Sequence, residues 1–175
     1  MNYIPEQTIA FRIYANGSDL LGVASVELPE LSNLTETVSG TGVLGEYESP
    51  AMGAFSSMSV TLKWISQTEK AFTMLNPFVP LMLECKGSQQ RAEKNTGAKY
   101  TVPVEITVFG TAKKASTGSF ETNKKMENET EIEAIRIINT VNGKQKLLLD
   151  KTNMIYAVDG VDIMLPVRAN IGLAF

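Results

Sequence analysis

The sequence has no histidine, and Cys85 is the one cysteine among its 175 residues. Histidine is the usual general base and a common zinc ligand, so its absence excludes Ser-His-Asp and Cys-His catalysis and histidine-based metal sites. One cysteine cannot form an internal disulfide, which is typical of proteins from a reducing compartment. Most hydrolase chemistry is disfavoured without histidine, and because the sequence also has no catalytic, metal-binding or cofactor motif, we expect a protein that is not an enzyme and that has no catalytic residue, metal site or cofactor.

Long apolar segments are missing as well. Apolar runs such as residues 78–83 fall far short of the roughly 20 residues that span a bilayer. The N-terminal sequence MNYIPEQTIAF has neither the charged start nor the apolar core of a signal peptide. The sequence thus predicts no membrane anchoring, and a protein that stays in the cytoplasm where it is made.

An excess of positive charge is also lacking, because the formal net charge is −3. A mildly acidic chain gains nothing from counterion release at nucleic-acid phosphates, so tight binding to nucleic acid is not expected. The length and the 43% hydrophobic composition suit one globular domain, residues 1–175, with a substantial core.

What the sequence does have is alternation of apolar and polar residues, the pattern of half-buried β-strands. In MSVTLKW, the apolar residues from Met58 to Trp64 share one face, and TVPVEITVF repeats the pattern. Two Asn-Gly pairs, at residues 16–17 and 142–143, predict tight hairpin turns, the first joining residues 8–14 to residues 20–28. One helix is predicted near SQTEKAFTMLNP, with Ser66 and Glu69 spaced as a capping box. The chain is therefore expected to be mainly β.

Residues 33–56 show no period and are rich in glycine, serine and threonine. Loops longer than about 12–15 residues are uncommon in compact domains and are usually functional or disordered. This one also carries apolar residues that are costly to leave in water, which predicts an assembly loop that docks on a partner; a loop folded back over its own subunit is the alternative. The candidate contact residues are Val38, Val43, Leu44, Tyr47, Met52 and Phe55.

Acidic residues recur at alternate positions from Glu127 to Glu133, which on a strand would place like charges on one face. A solvated segment and a surface of negative potential are both compatible with this pattern. Asp159 and Asp162 flank Gly160, but their spacing lacks the ligand pattern of a calcium loop and favours a turn.

The C-terminal segment is apolar where C-termini without a docking role are usually polar, so it must pack against its own core or a neighbour. It resembles the C-terminal signature of the major tail tube proteins of contractile-tailed bacteriophages and phage-tail-like bacteriocins. Weaker similarity continues upstream from Gly110 through Glu129 and at the front around Gly22 and Leu28. The matching signature residues are Asn153, Met154, Ile155, Gly160, Val161, Asp162, Arg168, Asn170, Ile171 and Gly172.

The resemblance implies a β-sandwich or barrel-like subunit with one flanking helix, six of which form a ring whose inner sheets close a barrel around a lumen. Such rings stack into the inner tube of a contractile tail, which is driven through the target envelope when the sheath contracts. The implied partners are other copies of the chain, the tail sheath protein, and the baseplate and tail terminator proteins, with at most transient passage of DNA. Glu131 and Glu133 are candidate lumen acids, because a polyanion must slide rather than bind there.

Two other interpretations stay open at this stage. A secretion-system tube protein would have a similar ring architecture, and a monomeric β-sandwich binding module would have the same strand pattern without self-assembly. The implied location is the host cytoplasm during synthesis and a virion or tail particle afterwards.

Overall fold

The computed structural model describes residues 3–173, and its elements are almost all strands. Strands alternate their side chains between two faces, and the alternating segments found in the sequence lie within them. The strands are β1 (Tyr3–Ala15), β2 (Ser18–Asp19), β3 (Val23–Glu27), β4 (Asn33–Ser39), β5 (Glu46–Phe55), β6 (Ser59–Trp64), β7 (Leu81–Glu93), β8 (Lys99–Ser116), β9 (Glu129–Val141), β10 (Lys144–Asp150), β11 (Ile155–Val158) and β12 (Val161–Asp162), with helices α1 (Glu69–Thr73) and α2 (Leu165–Asn170).

Ten strands form one sheet, in which eight follow the order β12-β11-β10-β9-β8-β7-β1-β2 and β6 and β3 form a branch, and β4 and β5 form a separate two-stranded sheet. The large sheet branches at strand β9. This strand pairs with β8 along one edge, while its other edge pairs with β6 near its start and with β10 near its end. The β6–β3 branch therefore leaves the main path of the sheet and packs across the core.

The core lies between this branch and the strands β1, β7, β8 and β9. Met58, Val60, Leu62 and Trp64 are almost completely buried, which confirms the face predicted from their alternation. The Trp64 indole N–H donates to the buried Thr130 hydroxyl at 3.1 Å, so its polar atom is satisfied inside the core. Other members of the cluster are Ile13, Leu20, Leu81, Leu83, Val108, Ile132, Ile137 and Leu149.

Both Asn-Gly pairs form turns, but only the second turn joins the two strands that the sequence predicts. Asn142 and Gly143 both have positive φ and join β9 to β10, as predicted. Asn16 and Gly17 also form a turn, but it pairs β1 with only two residues of β2. The predicted pairing of residues 8–14 with residues 20–28 is wrong, because β1 pairs along its length with β7 and β3 pairs with β6.

The predicted helix is present but shorter, and its cap differs. Thr68, not Ser66, is the N-cap residue of α1, and its hydroxyl accepts from the Ala71 N–H at 3.3 Å. The expectation of one helix is also wrong, because α2 follows in the C-terminal segment. Within residues 3–173 the strands do not close a barrel, so the subunit alone confirms only a mainly β fold.

Candidate assembly surface

The segment expected to be a long loop is an arm, formed by β4, β5 and their connecting turn, residues 33–55. The segment is therefore a hairpin and not an irregular loop, a form compatible with the predicted assembly role, since the strands pair from Thr35 with Pro50 to Ser39 with Glu46. The arm hydrogen-bonds to none of the ten strands of the large sheet. Glycines 40, 42 and 45 all have positive φ, which the turn requires and which glycine adopts without strain.

The arm projects apolar side chains into solvent. Of the six predicted contact residues, Val43, Leu44, Tyr47 and Met52 are exposed, and Leu44 at the turn is fully exposed. Val38 is half-buried beside Tyr47, its cross-strand partner. The arm also carries only negative charge. Its charged residues are Glu36, Glu46 and Glu48.

The base of the arm is fixed to the C-terminal half of the subunit. Phe55, the sixth predicted contact residue, packs edge-on against Tyr156 with ring centroids 5.0 Å apart. Gly53 lies under the buried Met164, where a β-carbon would come within 2.2 Å of the sulfur. Phe55 therefore orients the arm from within its own subunit, while the exposed residues lie further out.

The C-terminal signature residues come together around a buried arginine. Arg168 is 3% exposed and donates to the Met154 carbonyl oxygen at 2.9 Å and to the Asp162 carboxylate at 2.6 Å. Asp162 also accepts from the Met164 N–H. The Arg168 guanidinium, with this backbone bond, holds the pKa of Asp162 below its ordinary value despite partial burial.

A second carboxylate organises the turn before β11. Asp150 is buried and accepts from the Thr152 N–H and hydroxyl and from the Asn153 N–H and amide. Burial alone would raise the pKa of Asp150, but the bonds from Asn153 and Thr152 outweigh it and lower the pKa. The chain then reverses at Met154, which has a φ of 53°, and Ile155 begins β11.

The remaining signature residues form turns. Gly160 follows Asp159 in the positive-φ turn between β11 and β12, with Val161 as the first residue of β12, so this segment is a turn as predicted. After Asn170, the last residue of α2, and Ile171, Gly172 closes the helix with a φ of 80°. The Leu173 N–H bonds to the Arg168 carbonyl and the Gly172 N–H to the Ala169 carbonyl, which together define a Schellman motif.

Part of the signature therefore packs within its own subunit around Arg168, whereas Val161 and Ile171 are exposed. Phe175, the last of the apolar C-terminal residues, lies outside the described residues. Neither Asp150 nor the pairing of Arg168 is evident from the local sequence pattern. The available signal was an arginine within an apolar segment, because a buried cation requires a carboxylate partner.

The two candidate lumen acids lie on the polar face of the sheet, opposite the core. The Glu131 and Glu133 carboxylates are each 3.5 Å from the Lys113 ammonium, and Glu133 accepts from the Ser57 hydroxyl at 2.6 Å. Burial raises the pKa of Glu133, but the bonds from Ser57 and Met58 and the charge of Lys113 lower it overall. Part of the negative charge predicted for this face is thus neutralised within the subunit.

Strand β1 forms a long free edge of the sheet. It pairs with β7 on one side, while only Tyr14 and Ala15 pair with β2 on the other. Ile4, Ile9 and Phe11 are exposed along this strand. An unpaired edge with apolar side chains is a template for a strand of another chain.

Among residues 3–173, no helix combines the length and apolar character needed to cross a membrane. In the same part of the chain, no three candidate metal-ligating side chains are grouped. The main surface features are instead the free edge of β1 and the exposed apolar residues of the arm, which are typical of a β-structured subunit that contacts other subunits.

Comparison with known proteins identifies the family. The family model for phage tail tube protein FII matches residues 5–172, and the chain belongs to this family. The tail tube protein of Escherichia phage P2 is 29% identical over 179 residues, covering 97% of this chain and 99% of that protein. The resemblance read from the C-terminal signature is thereby confirmed, and so is the expectation of a structural protein that is not an enzyme.

A solved structure supports the fold. This structure is a cryo-EM structure of an extracellular contractile injection system, the PVC sheath/tube terminator in the extended state. One of its chains superposes on this chain with a TM-score of 0.57. The match covers 78% of this chain and 97% of that one at 17% identity. At this identity the match shows a shared fold.

Proposed function

We propose that the chain polymerises as stacked hexameric rings into the inner tube of a contractile tail, the conduit driven through the target envelope on sheath contraction. Membership of the tail tube family supports this role. The structural observation that carries it is the arm, residues 33–55, which is ordered as a hairpin but projects apolar side chains away from its own core.

The arm provides the contact between stacked rings. A lone two-stranded hairpin is marginally stable in water, so its exposed apolar residues are best accommodated on another subunit. Val43, Leu44, Tyr47 and Met52 make this contact, and Phe55 fixes the angle at which the arm leaves the subunit.

The free edge of β1 provides the contact within a ring. A head-to-tail contact between edge strands forms a closed ring when its rotation closes, and the ring then has no unpaired edge. Closure of this kind joins the large sheets of six subunits into a barrel, and their polar faces line the lumen. Glu131 and Glu133 then face the channel, where their charge prevents retention of DNA in transit.

The tube's partners follow from its position. The sheath protein surrounds it, and the baseplate and tail terminator proteins bound its two ends. The chain is made in the host cytoplasm and becomes part of a virion or tail particle.

The test replaces residues 41–52 with a short Gly-Ser turn, which leaves Gly53 and Phe55 at the base of the arm. Circular dichroism should show a folded subunit, and electron microscopy should show that tubes are lost. The control replaces residues 121–125, an exposed loop outside the arm, and should leave tube formation unchanged. Normal tubes from the arm variant would show that the arm does not join the rings.

A further inference from the structure

An apolar groove opens on the face of the sheet formed by β1, β7 and β8. It has a volume of about 310 Å³, and its floor is formed by Phe11, Cys85, Gly87, Val104 and Ile106. These residues continue the core face of the sheet. The cross-strand row of Ala15, Leu83 and Val108 is buried, whereas in the row four residues away along each strand Phe11 is exposed and Gly87 and Val104 are only partly buried.

Gly87 is the reason that the groove is open. Its φ lies outside the left-handed region, so the backbone does not require glycine. A β-carbon built there would meet Thr8, Val104 and Ala10 atoms at 3.7–3.9 Å, which is ordinary contact. A side chain would therefore fit the subunit and would extend into the groove, so the missing side chain serves to create space.

We propose that this groove is the acceptor site for the arm of a second copy of the chain, with Leu44 of that copy packed over Gly87. The inference rests on the proposed assembly into stacked rings and names the surface that receives the arm. Leu44 is the most exposed of the large apolar residues described, and the groove continues the core face of the sheet where that face is only partly buried.

Charge and spacing favour the arm as the occupant. Arg91 lies on the groove side of β7, four residues after Gly87; it is 8% exposed, its Nε donates to the Gln89 side-chain oxygen at 3.1 Å, and its guanidinium lies 4.4 Å from the centre of the Tyr3 ring. On the arm, Glu48 follows Leu44 by the same four residues. Leu44 lies in the turn and Glu48 lies in β5, which begins at Glu46, so an arm that lies along β7 with Leu44 over Gly87 directs its acidic strand toward the Arg91 end of β7.

The first experiment fills the groove. Gly87→Val should leave the circular dichroism spectrum and the thermal midpoint of the dispersed subunit near those of the parent, while raising the critical concentration for tube assembly at least tenfold. The control, Ser88→Val, adds side-chain volume at the neighbouring position on the opposite face of β7 and should assemble normally. Normal assembly of Gly87→Val would overturn the proposal.

The second experiment locates the contact directly. Benzoyl-phenylalanine is placed at position 43, beside Leu44, and assembled tubes are irradiated. Mass spectrometry should find cross-links between copies to peptides containing Phe11, Gly87 or Val104, whereas the same probe at the exposed position 78 should give none of these.

The outcomes separate the two claims. Tubes whose cross-links map elsewhere would refute the groove and leave the tube function intact. A parent chain that forms no tubes at any concentration would refute both.

Discussion

Removing the Asp162 charge should destabilise the subunit, because it leaves the buried Arg168 without its carboxylate. The Asp162→Asn substitution keeps the size of the side chain and an acceptor for the Met164 N–H. It weakens the 2.6 Å bond from the guanidinium, which is 3% exposed. The Met154 carbonyl remains as the other partner of Arg168.

The expected cost is about 2–3 kcal/mol. A hydrogen bond to a charged group contributes about 1.5–3 kcal/mol, and breaking a fully buried ion pair costs about 3–5 kcal/mol. Because the Asp162 side chain is 23% exposed, water reaches the site, and the cost should not exceed the lower end of the range for a fully buried ion pair, about 3 kcal/mol. For a domain of this size, the midpoint should fall by about 4–12 °C.

The assay is thermal unfolding of the dispersed subunit at pH 7, followed by circular dichroism. Asp159→Asn is the matched control, since Asp159 pairs with Lys146 in an exposed ion pair that contributes at most about 1 kcal/mol. Equal midpoints for the two variants would refute the reasoning, because the buried guanidinium would then not need the charge of Asp162.

Gly53→Ala should lower the free energy of unfolding by about 1–3 kcal/mol in urea titrations, because its methyl group would displace the buried Met164 and its φ of 72° is strained for alanine; the same substitution should cost less in a Met164→Ala background, and an equal cost would argue against the steric cause. Gly172→Ala should cost about 1 kcal/mol in the same assay through strain at positive φ, and an unchanged midpoint would contradict the importance of the Schellman motif. Folding lowers the pKa of Asp150, so its ionised carboxylate contributes fully to stability above the unfolded pKa of about 3.9, and this contribution is lost as pH falls through the folded pKa. The free energy of unfolding of Asp150→Asn should therefore fall less than that of the parent between about pH 5 and pH 2. Parallel curves of unfolding free energy against pH for the two proteins would contradict this.

Local sequence patterns predicted the elements that are buried on one face. Residues 58–64 alternate because one side of β6 packs in the core, and Asn142-Gly143 specifies its own turn. The two strands of the arm could not be recognised from the sequence, because the arm lacks a buried face. Both of its faces are largely exposed, so no burial constraint imposes a period of two on residues 33–55.

Long-range pairing and short helices were also beyond local patterns. The turn at Asn16-Gly17 is correct, but nothing near it in the sequence specifies that β1 pairs with β7. Helix α2 has six residues, and its N-cap, Met164, makes no side-chain capping bond. The signature residues were recognised by resemblance, whereas their arrangement around Arg168 depends on contacts between β11, β12 and α2.

The pairing of β1 with β7 also affects how the chain is synthesised. Strand β1 is made before β7, which begins only at Leu81. At about 5–20 residues per second, most of β1 has no partner strand for roughly 4–16 s, with Ile4 and Ile9 open to other nascent chains. Unpaired strands of this kind are prone to aggregation, so β1 depends on low local concentration or on a chaperone until β7 is made.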